Sequence, residues 1–280
     1  DQDNKWIPPL IPGISQAAFE VPMEGVSVND HMYIYHTTDH SDQHTMGRSV
    51  LARSDDNGLT FSYIADISNR GKFINLTIET VDNSAWPGLP ASSGQGLLIW
   101  GSGEYRKSSV ALAFQPFDQI ENPAGIKYFT GLQNDQPTWS ETEADAQLLF
   151  DEACVGELSV VWNPYLEKWL MTYNCGYPRG IRFRTADVPW GPWSESDNLF
   201  DPEADHGYCH FMHVSWENQH CDDTYDPGRE NETGGEYGPY LIGRFAKAVP
   251  NGSMIYFTMS TWNPYNVVLM RAELIFSDNY

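Results

Sequence analysis

A strand-rich pattern, a repeated pair of strands and one tight polar hairpin predict an all-β fold, a β-propeller, for this 280-residue chain. The runs are short, rich in Val, Ile, Tyr and Phe, and bounded by Gly, Pro, Asn or Asp, and no stretch carries a long helical period with caps. Four segments share one grammar, an apolar strand ending in small polar residues followed by a second alternating strand. They are Met32–His36 with Ser49–Arg53, Leu97–Gly101 with Ser108–Phe114, Trp169–Asn174 with Ile181–Thr185, and Ile255–Ser260 with Val267–Ala272. A sheet unit repeated along one chain is the signature of a propeller.

The hairpin is Ser54-Asp-Asp-Asn-Gly-Leu-Thr-Phe61, which fits Ser-x-Asp-x-Gly-x-Thr-aromatic. Ser54 and Asp56 can hydrogen-bond turn amides, Gly58 can supply a positive φ, and Thr60 with Phe61 starts the returning strand. This turn resembles the Asp box on the blades of sialidase-like propellers, where it lies on the outer edge and is structural. The spacing of the repeats is wider than one four-stranded blade of about 40–50 residues, so an interval can hold more than one sheet. Ser194–Phe200 follows Trp190-Gly-Pro-Trp193, a phrase similar to one in five-bladed propeller glycosidases. Five blades are expected.

The chain is expected to form one domain over residues 1–280, with Glu217 to Glu236 as an insertion loop between blades. Aromatic residues make up 14%, with 10 Trp and 15 Tyr. Sugar C–H faces stack on such rings, although packing between blades uses them too. A formal net charge of −22, from 38 acidic against 16 basic residues, excludes nucleic acid and anionic membranes as partners and suits a neutral polymer. The start at Asp1-Gln2-Asp3 and the lack of a long apolar span fit a mature, secreted product. A monomer is expected. Asn75, Asn231 and Asn251 head glycosylation sequons, though Asn251-Gly252 also reads as a hairpin turn.

Cys154, Cys175, Cys209 and Cys221 allow three pairings. In a secreted chain an even number favours two disulfides, expected as Cys154–Cys175 and Cys209–Cys221. A zinc site would more naturally use Cys-x-x-Cys, which does not occur; no metal or cofactor is expected.

Inner strands of a propeller run toward a central funnel, and carboxylates at their ends converge over the axis. Glu20, ahead of one strand, and Asp39, at the end of the next, are candidates for two acids brought together. Glu157 follows Gly156 in an otherwise apolar strand, where an acid is costly unless paired or functional. Glycosidic cleavage uses two carboxyls, about 5–5.5 Å apart for retention or about 6.5–9.5 Å for inversion. Asp39 is the candidate ionised group and Glu20 or Glu157 the proton donor, because a carboxyl among Trp and Tyr side chains has its pKa raised.

His40, His210 and His213 are candidates for donating to sugar hydroxyls. Trp86, Tyr237, Tyr240, Trp262 and Asn263 lie among turn formers at strand ends, as subsite platforms do.

Tyr33 to His40, Gly156-Glu-Leu-Ser159, Trp169-Leu-Met-Thr-Tyr173 and, above all, Met259-Ser-Thr-Trp-Asn-Pro-Tyr-Asn-Val-Val-Leu-Met270 resemble a group of five-bladed propellers classed as a domain of unknown function. Some members of that group are endo-D-arabinanases. The resemblance runs from about Ile14 to Leu274 and implies a hydrolase acting on a furanose-containing polysaccharide or its oligosaccharides. It implies an acid pair in which Asp39 matches one member by place, within Thr-Thr-Asp-His, and Glu20 falls near the other with Glu for Asp. Two other classes stay open, a lectin-like propeller without catalysis and a sialidase-like exo-glycosidase. The latter needs several arginines around a carboxylate, which a −22 chain suits poorly.

Overall fold

A computed structural model describes residues 11–14, 20–39, 47–69, 71–176 and 179–275. Within these residues the strands form four antiparallel sheets. The first comprises β1 (Val21–Val28), β2 (His31–Thr38), β3 (Arg48–Ser54) and β4 (Ser62–Asn69). The second runs through β5 (Asn75–Asp82), β6 (Gln95–Ser102), β7 (Val110–Pro116), β8 (Lys127–Gln133) and β9 (Gln136–Ser140). The third contains β10 (Leu158–Asn163), β11 (Lys168–Asn174), β12 (Ile181–Ala186) and β13 (Asp197–Phe200). In the fourth, β14 (Glu236–Leu241) and β15 (Lys247–Val249) both pair with β16 (Gly252–Trp262), and β17 (Tyr265–Ile275) pairs with β16 along its whole length.

The four repeated strand pairs are β2 with β3, β6 with β7, β11 with β12 and β16 with β17, so each marks one sheet. The inner strands β1, β5, β10 and β14 are neighbours in that order, which makes the sheets the blades of a propeller around one axis. Four blades are formed by the described residues, where five were expected. Asp197–Phe200, within the segment read as a sign of a further blade, is the outer strand of the third sheet, hydrogen-bonded to β12.

Side-chain alternation joins the blades. Leu97 and Ile99 face the first blade, packing with Tyr33, Tyr35 and Leu51. Leu98 and Trp100, one residue out of phase, pack with Leu158, Val160, Trp169 and Met171 of the third. A strand buried on both faces therefore reads as an unbroken apolar run, as Leu97 to Trp100 does. Trp100 and Trp169, both fully buried, sit 5.1 Å apart at the centre of that interface. Each such ring stabilises the packing by roughly 1.5–3 kcal/mol through burial alone. Val161 and Leu170 then meet Ile255, Leu241, Ala272 and Leu274 of the fourth blade.

The Asp box closes β3 onto β4. The Ser54 hydroxyl accepts from the Gly58 amide at 2.8 Å, Asp56 accepts from the Thr60 amide at 2.8 Å and the Thr60 hydroxyl at 2.6 Å, and Gly58 has φ +85°. These bonds pull the Asp56 carboxyl down to about 2. Phe61 packs on Val50, Ala52 and Ile14. Asn251, exposed at φ +59°, turns β15 into β16 as its hairpin reading expects, whereas Asn75 is only 3% exposed and is not an open glycan acceptor. Both disulfides, Cys154–Cys175 and Cys209–Cys221, form as expected.

Candidate functional site

The N-terminal ends of β1, β5 and β10 converge on the axis, where a narrow cavity is lined by Val21, Met23, Asn75, Leu76, Glu157, Leu158 and Tyr240. Glu157 stands immediately ahead of β10. The Tyr105 hydroxyl lies 3.0 and 2.9 Å from its two carboxylate oxygens. Burial first, and then the Glu157 charge, push the Tyr105 hydroxyl far up, so it stays a donor to that carboxylate. The loop carrying Tyr105 is braced by the Arg106 guanidinium, 4.8 Å from the tyrosine ring. Gly156 is required by close approach, since a Cβ there would lie 2.4 Å from Asn174 Oδ1 and 3.2 Å from the Tyr105 ring.

Asn75 and Ser102 are cross-strand partners at the same end of the second blade, 3% and 0% exposed. Among the described residues Asn75 Nδ2 and Ser102 Oγ have no hydrogen-bond partner. Further along the axis, the Thr77 hydroxyl donates to Glu24 at 2.9 Å. Burial raises the Glu24 carboxyl despite that bond. Glu79 is pushed up to about 7, by burial and then by Glu24. Tyr240 lies between the groups: burial, then Glu157, then Glu24 raise its hydroxyl. The axis thus holds carboxyls in unlike environments, one facing a phenol donor and two whose charged form burial disfavours.

The other predicted residues divide clearly. Glu20 directly precedes β1, and Asp39 directly follows β2, whose Thr37 pairs with Val21, so both stand at the end of the first blade that meets Glu157. Asp39 has φ +58° and accepts from Arg48 Nε at 2.7 Å. The same guanidinium also binds Asp66 and, at 2.7 Å, the Gly13 carbonyl. His40 lies outside the described residues. Tyr237 and Tyr240 are on β14, half-buried, and Glu157 contributes to the raised hydroxyl of each after burial does. Trp262 ends β16 with the Arg229 guanidinium 5.3 Å from its ring.

Trp86, His213 and Asn263 are committed to other contacts, and His210 stands apart from the axial group. Trp86 lies beyond the far end of β5, away from Asn75, and packs 4.9 Å from Trp162 and 5.1 Å from Trp169. His210 is exposed on the segment between β13 and β14, with its ring 6.1 Å from that of His206. His213 is fully buried, with Nδ1 at 2.7 Å from Asp222 and Nε2 at 2.8 Å from the Glu230 carbonyl, so neither nitrogen is left for a sugar. Asn263, also fully buried, spends its amide on the loop: Nδ2 donates to the Arg229 and Glu232 carbonyls and Oδ1 accepts from the Asp226 amide.

Glu24, Glu79 and Tyr105 were missed. Glu79 stands in Leu-Thr-Ile-Glu-Thr-Val, the same acid-in-an-apolar-strand signal that singled out Glu157. The side-chain groups close enough to share a metal ion among the described residues are Glu152 with Cys154 and Cys175, and Asp222 with Cys209 and Cys221. Their sulfurs are committed to the disulfides.

A family described as a domain of unknown function (DUF4185) matches residues 7–271. No curated protein matches the chain. Among solved structures, an exo-1,5-alpha-L-arabinanase from a bovine ruminal metagenomic library is similar at TM-score 0.47 and 8% identity, covering 96% of this chain and 78% of that one. An alpha-L-arabinanase of Penicillium chrysogenum is similar at TM-score 0.43 and 11% identity, covering 90% and 62%. The GH93 alpha-L-arabinofuranosidase of Fusarium graminearum gives TM-score 0.43, 10% identity, and 91% and 66%. The chain therefore spans less than two thirds of the Penicillium protein's length.

Proposed function

The chain belongs to the DUF4185 family, and we propose that it is a glycoside hydrolase cutting a furanose-containing polysaccharide in the manner of an endo-D-arabinanase. The observation that carries the reading is Glu157, at the head of an inner strand on the axial cavity, with both oxygens facing the Tyr105 hydroxyl. Glycosidic cleavage asks for one carboxyl to give a proton while a second stabilises or attacks the anomeric carbon. Glu157, Glu20 and Asp39 are the acidic set at the mouth. In this reading Asp39 is the ionised group, oriented by Arg48, Glu20 is the proton donor, and Glu157 is the carboxylate that accepts from Tyr105. Glu24 and Glu79 lie deeper and act on the electrostatics of the axis.

Tyr237 and Tyr240 supply ring surface near Glu157, and Trp262 offers a further ring on the same blade, which suits the C–H faces of sugars. The four blades share one axis and form a single unit. Two disulfides suit an oxidising, extracellular setting, and the substrate is a neutral polymer because the chain carries a formal charge of −22. The protein acts as a monomer. A second reading, a carbohydrate-binding propeller without turnover, is favoured by one observation, the commitment of Asp39 to Arg48 at 2.7 Å. Incubation with arabinan, arabinogalactan and a panel of aryl glycosides separates the two. Released oligosaccharides support the hydrolase; binding of the polymers with no product at any protein load supports the lectin.

A further inference from the structure

The outward face of the fourth blade carries a second aromatic feature. In the β14–β16–β17 register Tyr237 lies opposite Ser260, Ser260 opposite Val267, and Trp262 opposite Tyr265. Residues two apart on a strand share a face. Tyr237, Ser260, Trp262, Tyr265 and Val267 therefore form one continuous strip. The strip starts beside the axis, since after burial Tyr265 and Glu157 both add to the raised Tyr237 hydroxyl. At its other end Tyr265 is 66% exposed. An exposed ring of that size contributes little to the core.

Its orientation is nonetheless fixed. The Arg229 guanidinium lies 5.3 Å from the Trp262 ring centre and 5.4 Å from that of Tyr265, and Arg229 Nη1 donates to the Trp262 carbonyl at 3.3 Å. The Tyr265 amide donates to Asp226 at 3.1 Å, and Asn263 ties the turn to the same loop. Two aromatic rings are thus held by one cation and one buried asparagine, with one ring largely open to solvent. Rigid amphipathic rings of this kind bind at low entropic cost, and with a formal charge of −22 on the chain a neutral ligand suits the position better than an anionic one.

We propose that Tyr265, set by Arg229 beside Trp262, is an outlying sugar-stacking subsite that holds a neutral polysaccharide chain on the fourth-blade side of Glu157. This rests on the glycoside hydrolase reading and adds to it a direction: the polymer runs from the axis over Tyr237 to the rim. Sugar rings dock by their C–H faces on Tyr265, and Arg229 is a positioning residue.

The test uses the whole disulfide-bonded chain and the variants Tyr265→Ala and Tyr265→Phe, titrated with soluble arabinan in a calorimeter and assayed on arabinan and on an aryl arabinofuranoside. Tyr265→Ala is expected to weaken polymer affinity and raise KM about five- to tenfold, the size of one lost aromatic contact. Its kcat and its turnover of the short aryl substrate stay within about twofold, because a substrate that does not reach the rim loses nothing. Tyr265→Phe keeps the ring and restores the affinity. Wild-type binding matched by Tyr265→Ala overturns the subsite and leaves the hydrolase reading standing, as does equal loss on polymer and aryl substrate. Failure of the wild type to bind or cleave any of the sugars overturns both.

Discussion

Replacing His213 by alanine tests whether its buried pair with Asp222 holds the long segment between β13 and β14. The imidazole is fully buried and the Asp222 side chain is 3% exposed. The Glu230 carbonyl can only accept, so Nε2 carries a hydrogen. Burial pushes the Asp222 carboxyl up, but the His213 bond and the Thr224 and Val214 amides outweigh it and hold the group below its ordinary value. Nδ1 lies 2.7 Å from Asp222 Oδ1, so both ring nitrogens are tied down within the segment. His213→Ala leaves the carboxylate without its 2.7 Å partner and the Glu230 carbonyl without its donor. Removing one partner of a buried pair costs about 3–5 kcal/mol. Equilibrium urea unfolding of the oxidised protein measures it, and a double-mutant cycle with Asp222→Ala should return a coupling of at least about 1.5 kcal/mol. The sign with pH also follows: because the folded Asp222 value is depressed, its contribution is present above the ordinary carboxylate range and is lost as pH falls through the folded value. A loss under about 1 kcal/mol that adds simply to that of Asp222→Ala would refute the role given to the buried pair.

Two other consequences concern stability. Glu79 titrates near 7 in the fold against 4.5 ordinarily, so the folded state keeps a proton that the unfolded chain releases, and stability falls as pH rises from about 4.5 to 7. Glu79→Gln should flatten that slope and leave the protein about 1–3 kcal/mol more stable than wild type at pH 8, read by thermal unfolding across pH; an unchanged slope would contradict the desolvated carboxyl. With Cys154–Cys175 and Cys209–Cys221 closed, the unfolded, unreduced chain should show no free thiol. Reduction should then cost about 2–5 kcal/mol per bridge, and four titratable thiols would disprove both pairings.

Hairpin grammar was legible because it is local: the alternating strands and the Asp box carry their own turn chemistry, and each repeated pair became the middle of one sheet. Blade number was not, because whether Ser194–Phe200 starts a new sheet or completes an old one depends on its pairing with β12. Glu157 was readable as an acid among apolar neighbours. Glu24 escaped because the register of β1 shifts between Pro22 and Glu24, which breaks the two-residue alternation that would have marked its face. His213 and Asn263 looked like site residues because a sequence displays a polar side chain without its partners. Those partners are nine and 17 residues away for His213, and 31 to 37 away for Asn263, on the same irregular loop. Trp86 misled in the converse way, as an aromatic whose neighbours Trp162 and Trp169 belong to another blade.

The measurement closest to the central claim pairs calorimetric titration with a product assay on wild type and Glu157→Gln, using soluble arabinan. Only transition-state interactions are lost when the carboxylate facing the Tyr105 hydroxyl becomes an amide, so affinity should stay within a few-fold while turnover falls by about a hundredfold or more. Turnover in Glu157→Gln equal to that of the wild type would contradict the account.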